Sequence, residues 1–362
     1  MDFGLSSEQD LLLASVDRAL AEQAPLARTR AFAADDNPDT RAGDVWQALT
    51  ALGVPGLIIA ERFGGTALGA LDAALVASAL GRHVAPAPFI ATSVLAPAAL
   101  ALGGSPAQQA EWLPRVARGE IVVGAALSEL CGAREDGGVD ARNGRLSGRA
   151  LFVLDFAADA YLVATRAGTL QLVAADAPGL TRTPLETIDR TRRYGELHFA
   201  AVAAEPLPHA RDAALAERLI DFGRVMLAAD TLGAASSMLE QALAYAATRQ
   251  QFGRSIGSFQ AVKHLCAEMA AALEPCHALI WYAAHALEHL PDEAHLYACH
   301  AKAHVAEVGS FVARTATEVH GGMGFTDLQG LHYWFKRIGA NRQWLGGPER
   351  ARQDAARAQG FI

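Results

Sequence analysis

Apolar residues recur at helical spacing through residues 1–118. The pattern breaks at Asn37-Pro38, Gly64-Gly65, Pro86-Ala87-Pro88 and Gly103-Gly104. From 119 to 208 it changes. Short apolar runs (IVVGAAL, FVLDFA, AYLVAT, LQLVAA, LHFAAV) alternate with turn signals such as Asn143-Gly144. They predict strands of four to six residues with hairpin-type connections. Helical periodicity returns over 209–362, interrupted near Phe252–Ser258, Leu290-Pro291-Asp292 and Gly321–Asp327. Helices, a small β unit and helices again predict an α+β chain with domains at 1–118, 119–208 and 209–362. Within the last, Val262, Leu265, Cys266, Met269 and Leu273 give one helix a buried face, and Ser258 is its expected N-cap.

Composition narrows the classes. The 362 residues are 51% hydrophobic and 19% charged, with a net charge of −8 and no basic run. A nucleic-acid or anionic-membrane partner is therefore not expected. No apolar run approaches the roughly 20 residues that span a bilayer, and no basic-then-apolar leader opens the chain. Cys131, Cys266, Cys276 and Cys299 lack paired spacing and read as reduced thiols. The expectation is a cytoplasmic protein. His285/His289 and His300/His304 are i,i+4 pairs without a neighbouring third ligand pattern, so no metal is expected. No G-x-S-x-G elbow, P-loop or G-x-G-x-x-G after a strand occurs.

The chemistry concentrates in two segments. In Arg249–Met269, RQQFGRSIGSFQAVKHLCAEM, an Arg precedes two glycines and a helix start. Such a start offers free N–H groups and the positive end of a helix dipole, and a guanidinium can grip pyrophosphate bidentately. Phe252 offers an apolar face and Gln260 a hydrogen-bonding amide. In Val319–Phe325, VHGGMGF, His320 opens a turn in which Gly321, Gly322 and Gly324 allow close backbone approach.

The spacing R-x-x-F-G-x-x-I-x-x-F-Q-x-x-x-H followed by HGGMGF resembles the C-terminal signature of the acyl-CoA dehydrogenase family. Met1–Glu22 is similar to that family's first helix, and Trp46–Gly65, ending in ERFGG, to its next helix and turn. The resemblance implies an N-terminal helical domain, a middle β-barrel-like domain and a C-terminal four-helix bundle. It implies FAD-dependent α,β-dehydrogenation of an acyl-CoA thioester, with electrons passed to electron-transfer flavoprotein or another acceptor. Arg249, Phe252, Gly253, Gln260, His320, Gly321, Gly322 and Gly324 would then contact FAD held by a neighbouring subunit.

This chain departs from the family in its own half of the site. The family's T-E-P-x-x-G-S-D-like segment falls on Ser128–Asp136, SELCGARED, and its W-I-T-like strand on Leu151–Val153, without indole or hydroxyl. The family's base, a Glu in a Y-E-G-T-like turn, falls on Leu345 in Trp344–Gly347. The alternative Glu, directly before an Arg, falls on Gly223, with Arg224 kept as a substrate-site candidate. Members lacking the base occur in bacterial α2β2 heterotetramers that act on bulky acyl-CoAs, including steroid side chains, beside a paralogous base-bearing subunit. This sequence resembles that type. Two alternatives stand beside it. One is a self-sufficient homotetramer with a displaced carboxylate (Asp221, Asp230, Asp327 or Glu349). The other is a flavin-free scaffold or CoA-ester-binding subunit. Each carboxylate also has a plain reading: Asp327 with Thr326 as N-cap of a helix carrying Leu328, Leu331, Trp334, Phe335 and Ile338; Glu349 in a first turn after Pro348; Asp221 paired with Arg224.

Overall fold

The computed structural model describes residues 4–132, 136–210 and 213–362. Six helices come first: α1 (Ser7–Gln23), α2 (Leu26–Ala34), α3 (Gly43–Ala51), α4 (Ala70–Arg82), α5 (Ala96–Gly103) and α6 (Pro106–Ala117). Ser6 with Gln9 and Ser105 with Gln108 form capping boxes that start α1 and α6. The breaks read from the sequence separate these helices. Gly64 takes φ +82°, and a Cβ on Gly65 would lie 2.0 Å from the Ile59 carbonyl. Pro86-Ala87-Pro88 leads into a buried π-helical turn, Ile90–Leu95.

Eight strands follow: β1 (Val123–Ala126), β2 (Gly138–Arg142), β3 (Arg145–Leu154), β4 (Ala160–Ala164), β5 (Leu170–Ala174), β6 (Leu180–Leu185), β7 (Tyr194–Ala203) and β8 (Glu205–Pro206). They form one sheet in the order β6-β7-β3-β1-β4-β5-β8, with β2 on β3. Alternate residues serve two cores. Ala160, Leu162 and Leu172 face the helices, whereas Tyr161, Val163 and Val173 join a cluster built from the sheet's own residues. The sheet thus encloses a core as a barrel does, but β6 and β8 are its open ends. Two strand expectations need correction. β3 and β7 run ten residues, and β1 pairs with β4 in parallel rather than by a hairpin. β6 escaped the hydrophobic pattern because Leu-Thr-Arg-Thr-Pro-Leu is largely exposed.

The helices then resume as α7 (Ala213–Thr248), α8 (Gln260–His289), α9 (Pro291–His320), α10 (Leu331–Gln343) and α11 (Pro348–Ala358). A short hairpin, β9 (Gln250–Gln251) and β10 (Arg254–Ser255), joins α7 to α8. Helix α7 is buried all round from Leu219 to Ala235, as the central member of a bundle must be. Cys266, Met269 and Leu273 are buried on α8 as their spacing required. Ser258 is not the N-cap of α8. It closes a 3₁₀ turn, its Oγ donating to Ser255 O at 2.7 Å, and Phe259 takes the cap position. Nor do Thr326 and Asp327 cap α10. Gly330, at φ +70°, precedes that helix, Thr326 Oγ1 donates to Met323 O, and Leu328 lies exposed outside it. Glu349 does sit in the first turn of α11. No helix among the described residues is long and apolar enough to cross a membrane.

Candidate functional site

The two glycine-bearing segments meet at one end of the bundle. Tyr245, in the last turns of α7, stacks on His320, the last residue of α9, with ring centroids 4.6 Å apart. Arg249 follows one turn later, its N–H bonded to Tyr245 O. Gly321 follows His320 directly. This stack is why two segments distant in sequence share one surface. His320 is buried, its Nδ1 2.7 Å from Ala316 O, and burial pulls its pKa below the usual histidine value. Its imidazole is therefore a packing element of the turn. Gly324 is also buried, and a Cβ there would approach Thr317 O to 2.6 Å.

The other motif residues point to solvent. Phe252 is 92% exposed at the tip of the β9–β10 hairpin, with φ +54°, and Gly253 follows at φ +76°. Phe325 is 82% exposed. The Arg249 and Gln260 side chains are exposed and make no hydrogen bond or ion pair with the described residues. Gly321 and Gly322 have nothing within 4 Å of a built Cβ. A large ring held outward at positive φ is costly in an isolated chain. Open space beside two glycines, an unpaired guanidinium and exposed rings suit a planar, phosphorylated ligand presented from outside this chain.

The two positions at which the resemblance puts a base turn out to be neighbours. A Cβ on Gly223 would lie 2.2 Å from Leu345 Cδ1, so the leucine fills the space a side chain at 223 would enter. Leu345 is 1% exposed and adopts φ +56°. Two buried basic side chains hold its turn. Arg224 Nε donates to Leu345 O at 3.1 Å, and Lys302 Nζ donates to Trp344 O at 2.8 Å and to Asn341 O. Burial pulls Lys302 down to about 7. Arg224 spends its other donors on Asp354 Oδ2 (2.7 Å) and Cys299 Sγ (3.1 Å). As a substrate-site candidate it lines a cleft with Cys131, His295 and Arg350, but each of its three nitrogens already donates within the chain.

Each displaced carboxylate is likewise occupied. Asp221 does not pair with Arg224; both its oxygens lie 3.0 Å from His295 Nδ1. Asp230 is completely buried. Burial opposes its charge, yet Arg192 and Arg337 hold its carboxyl below the usual range. Asp327 and Glu349 are largely exposed beside Arg30 and Arg342. Asp230 and Glu349 are held below the usual carboxylate range, the opposite of a poised general base. Leu151 and Val153 are buried, and Phe152 stands exposed at a β3–β7 irregularity with φ +52°. Ser128 Oγ and Trp344 Nε1 both donate to Phe152 O, and Glu129 accepts from Leu151 N–H. Ser128 and Glu129 therefore brace the strand. Residues 133–135 of the SELCGARED segment lie outside the described residues.

Sequence reading missed the Gly223–Leu345 contact, the buried Lys302 and the Asp221–His295–Cys299 cluster. Only the last had a signal, His and Cys four apart on a helix. Among the described residues it is the one group with potential metal-ligand geometry, and the His285–His289 pair, with rings 4.5 Å apart, has no third donor.

Residues 6–120 match the acyl-CoA dehydrogenase N-terminal domain and residues 213–360 the acyl-CoA dehydrogenase C-terminal domain. Acyl-CoA dehydrogenase IpdE2 of Mycobacterium tuberculosis is 30% identical over 348 residues, covering 94% of each chain. Among solved structures, a chain of the ChsE4-ChsE5 complex from Mycobacterium tuberculosis superposes with a TM-score of 0.90 at 28% identity, covering 100% of both chains. A chain of the Tcur3481-Tcur3483 steroid ACAD G363A variant gives 0.88 at 30% identity, covering 98% of both. With its fold and both its N- and C-terminal domains matched, this chain belongs to the acyl-CoA dehydrogenase family, a family of FAD-dependent oxidoreductases.

Proposed function

We propose that this chain is the subunit of a two-chain acyl-CoA dehydrogenase that completes the FAD site without supplying the base. The observation that carries the reading is the packed Gly223–Leu345 contact. Both places for a catalytic Glu are empty, and the space between them is filled. The outward face supports the other half. Arg249 would pair with a pyrophosphate, Gly321 and Gly322 would leave room for its close approach to the backbone, and Phe252 would cover an apolar ring face. Bound there, the flavin supplies the acceptor for the substrate's β-hydrogen. Proton removal at the α-carbon falls to a carboxylate of the paralogous chain. The relatives that are complexes of two differently named chains support such a partner, and the steroid ACAD supports a bulky acyl-CoA as the substrate of the pair.

The test is flavin absorbance per chain, for this protein alone and with a base-bearing paralogue. Little flavin alone, and a yellow, active complex that loses FAD on Arg249→Ala, is the expected result. Near-stoichiometric flavin on the chain alone, bleached by an acyl-CoA, would establish the self-sufficient homotetramer instead. Colourless preparations in both cases would leave the scaffold reading.

A further inference from the structure

We infer that Asp221, His295 and Cys299 form a binding site for a zinc-class divalent cation that fastens α9 to α7 beside the vacated base position. His295 and Cys299 lie one turn apart on α9 and so share a face, and Asp221 reaches them from α7. One donor atom from each of the three lies within 4.8 Å of the others. His295 Nδ1 stands 3.0 Å from the Asp221 carboxylate and His295 Nε2 stands 3.8 Å from Cys299 Sγ, and the ion would take one of these two nitrogens, displacing the contact made there. Sulfur, imidazole nitrogen and carboxylate oxygen together suit a borderline-soft ion, and ligand bonds of roughly 2.0–2.3 Å would draw the three atoms inward.

The surroundings fit a ligated sulfur. Arg224 Nη1 donates to Cys299 Sγ at 3.1 Å and is itself anchored by Asp354. An N–H bond of this kind orients a thiolate ligand and balances its charge from the outer shell. Ligation takes the thiolate and an unprotonated imidazole nitrogen, so binding a cation there releases protons. His295 also lines the cleft shared with Cys131, Arg224 and Arg350, leaving a fourth coordination position open to water. Nothing in the flavin reading uses these three groups, and their test does not depend on it.

The full chain, alone or in its complex, is stripped with a chelator, loaded with Zn2+, desalted and analysed for retained metal. Co2+ loading, read as a difference spectrum, adds a thiolate-to-cobalt charge-transfer band that reports sulfur ligation. The expected result is one retained ion per chain. The band should vanish in Cys299→Ser and persist in Cys131→Ser. Affinity should fall at least about tenfold in His295→Gln and stay unchanged in the surface pair variant His285→Gln/His289→Gln. Metal retention and the cobalt band in the unsubstituted protein are readouts that need no variant to fold. No retained ion, a charge-transfer band that survives Cys299→Ser, or metal lost only from the surface pair variant would overturn the site.

Discussion

At residue 345 a leucine sits in left-handed backbone, a conformation that costs a β-carbon-bearing residue roughly 1–2 kcal/mol. Its carbonyl accepts from Arg224 and its neighbour's from Lys302, so two buried basic side chains keep the turn wound that way. The turn is thus closed around an apolar side chain. A second residue in strained backbone, Asp155, carries a prediction. It is buried at φ +55°, and its Oδ2 has no hydrogen-bond partner. Desolvation raises its pKa to about 7, against the opposing pull of Arg192 and Arg337. The folded state thus keeps a proton that the unfolded state loses near its ordinary value, and stability falls as pH rises from about 4 through 7. Asp155→Asn keeps the shape without ionising, and Asn tolerates positive φ. The variant should gain roughly 1–4 kcal/mol over the native chain at pH 8 and almost nothing at pH 4. Denaturant midpoints at the two pH values decide this, and an equal gain at both would refute the account.

Between elements, glycines set how closely helices approach. A Cβ on Gly81 of α4 would lie 1.9 Å from Asp230 O on α7, and a Cβ on Gly233 of α7 would lie 1.8 Å from Ser78 O on α4. Two backbones in contact leave no flexible side chain to give way. Gly81→Ala should therefore push α4 off α7 and destabilise the chain by about 1–3 kcal/mol, although alanine is the better helix former. A thermal melt that rose, as propensity alone requires, would show that the crossing can relax. The β9–β10 hairpin shows the opposite economy. It exposes Phe252 fully and gives the hairpin tip little burial in this chain, as suits a segment shaped for another molecule's surface.

Across the whole molecule, one carboxylate gathers groups from three regions. Asp230 on α7 accepts from Arg192 at the entry to β7, and from Arg337 and Asn341 on α10. Arg337 also donates to Thr191 Oγ1 and to Ala85 O after α4. Every member is buried, so the network is satisfied only as a unit. Asp230→Ala strands two guanidinium groups away from water and should cost about 3–5 kcal/mol, unlike a surface pair such as Arg118–Glu120. Chemical denaturation of Asp230→Ala beside Glu120→Ala measures the contrast. Equal midpoints would mean that the junction is held by apolar packing alone.

Hydrophobic periodicity alone marked where helices give way to strands and return, because amphipathic faces and turn residues are local properties of the chain. The resemblance to the family, counted on from Gly324 and back from Arg249, put the two expected glutamates at Leu345 and Gly223. Periodicity could not follow β6, whose polar strand is held by its neighbour's hydrogen bonds rather than by a buried face. Nor could it show that the two vacant positions touch, that Asp221 belongs to His295, or that Ser258 leaves its cap to Phe259. Those facts depend on how α7, α9 and the turn after α10 are set against one another in three dimensions. That setting is fixed by buried ion pairs and close glycine contacts between residues far apart in sequence, which no local pattern encodes.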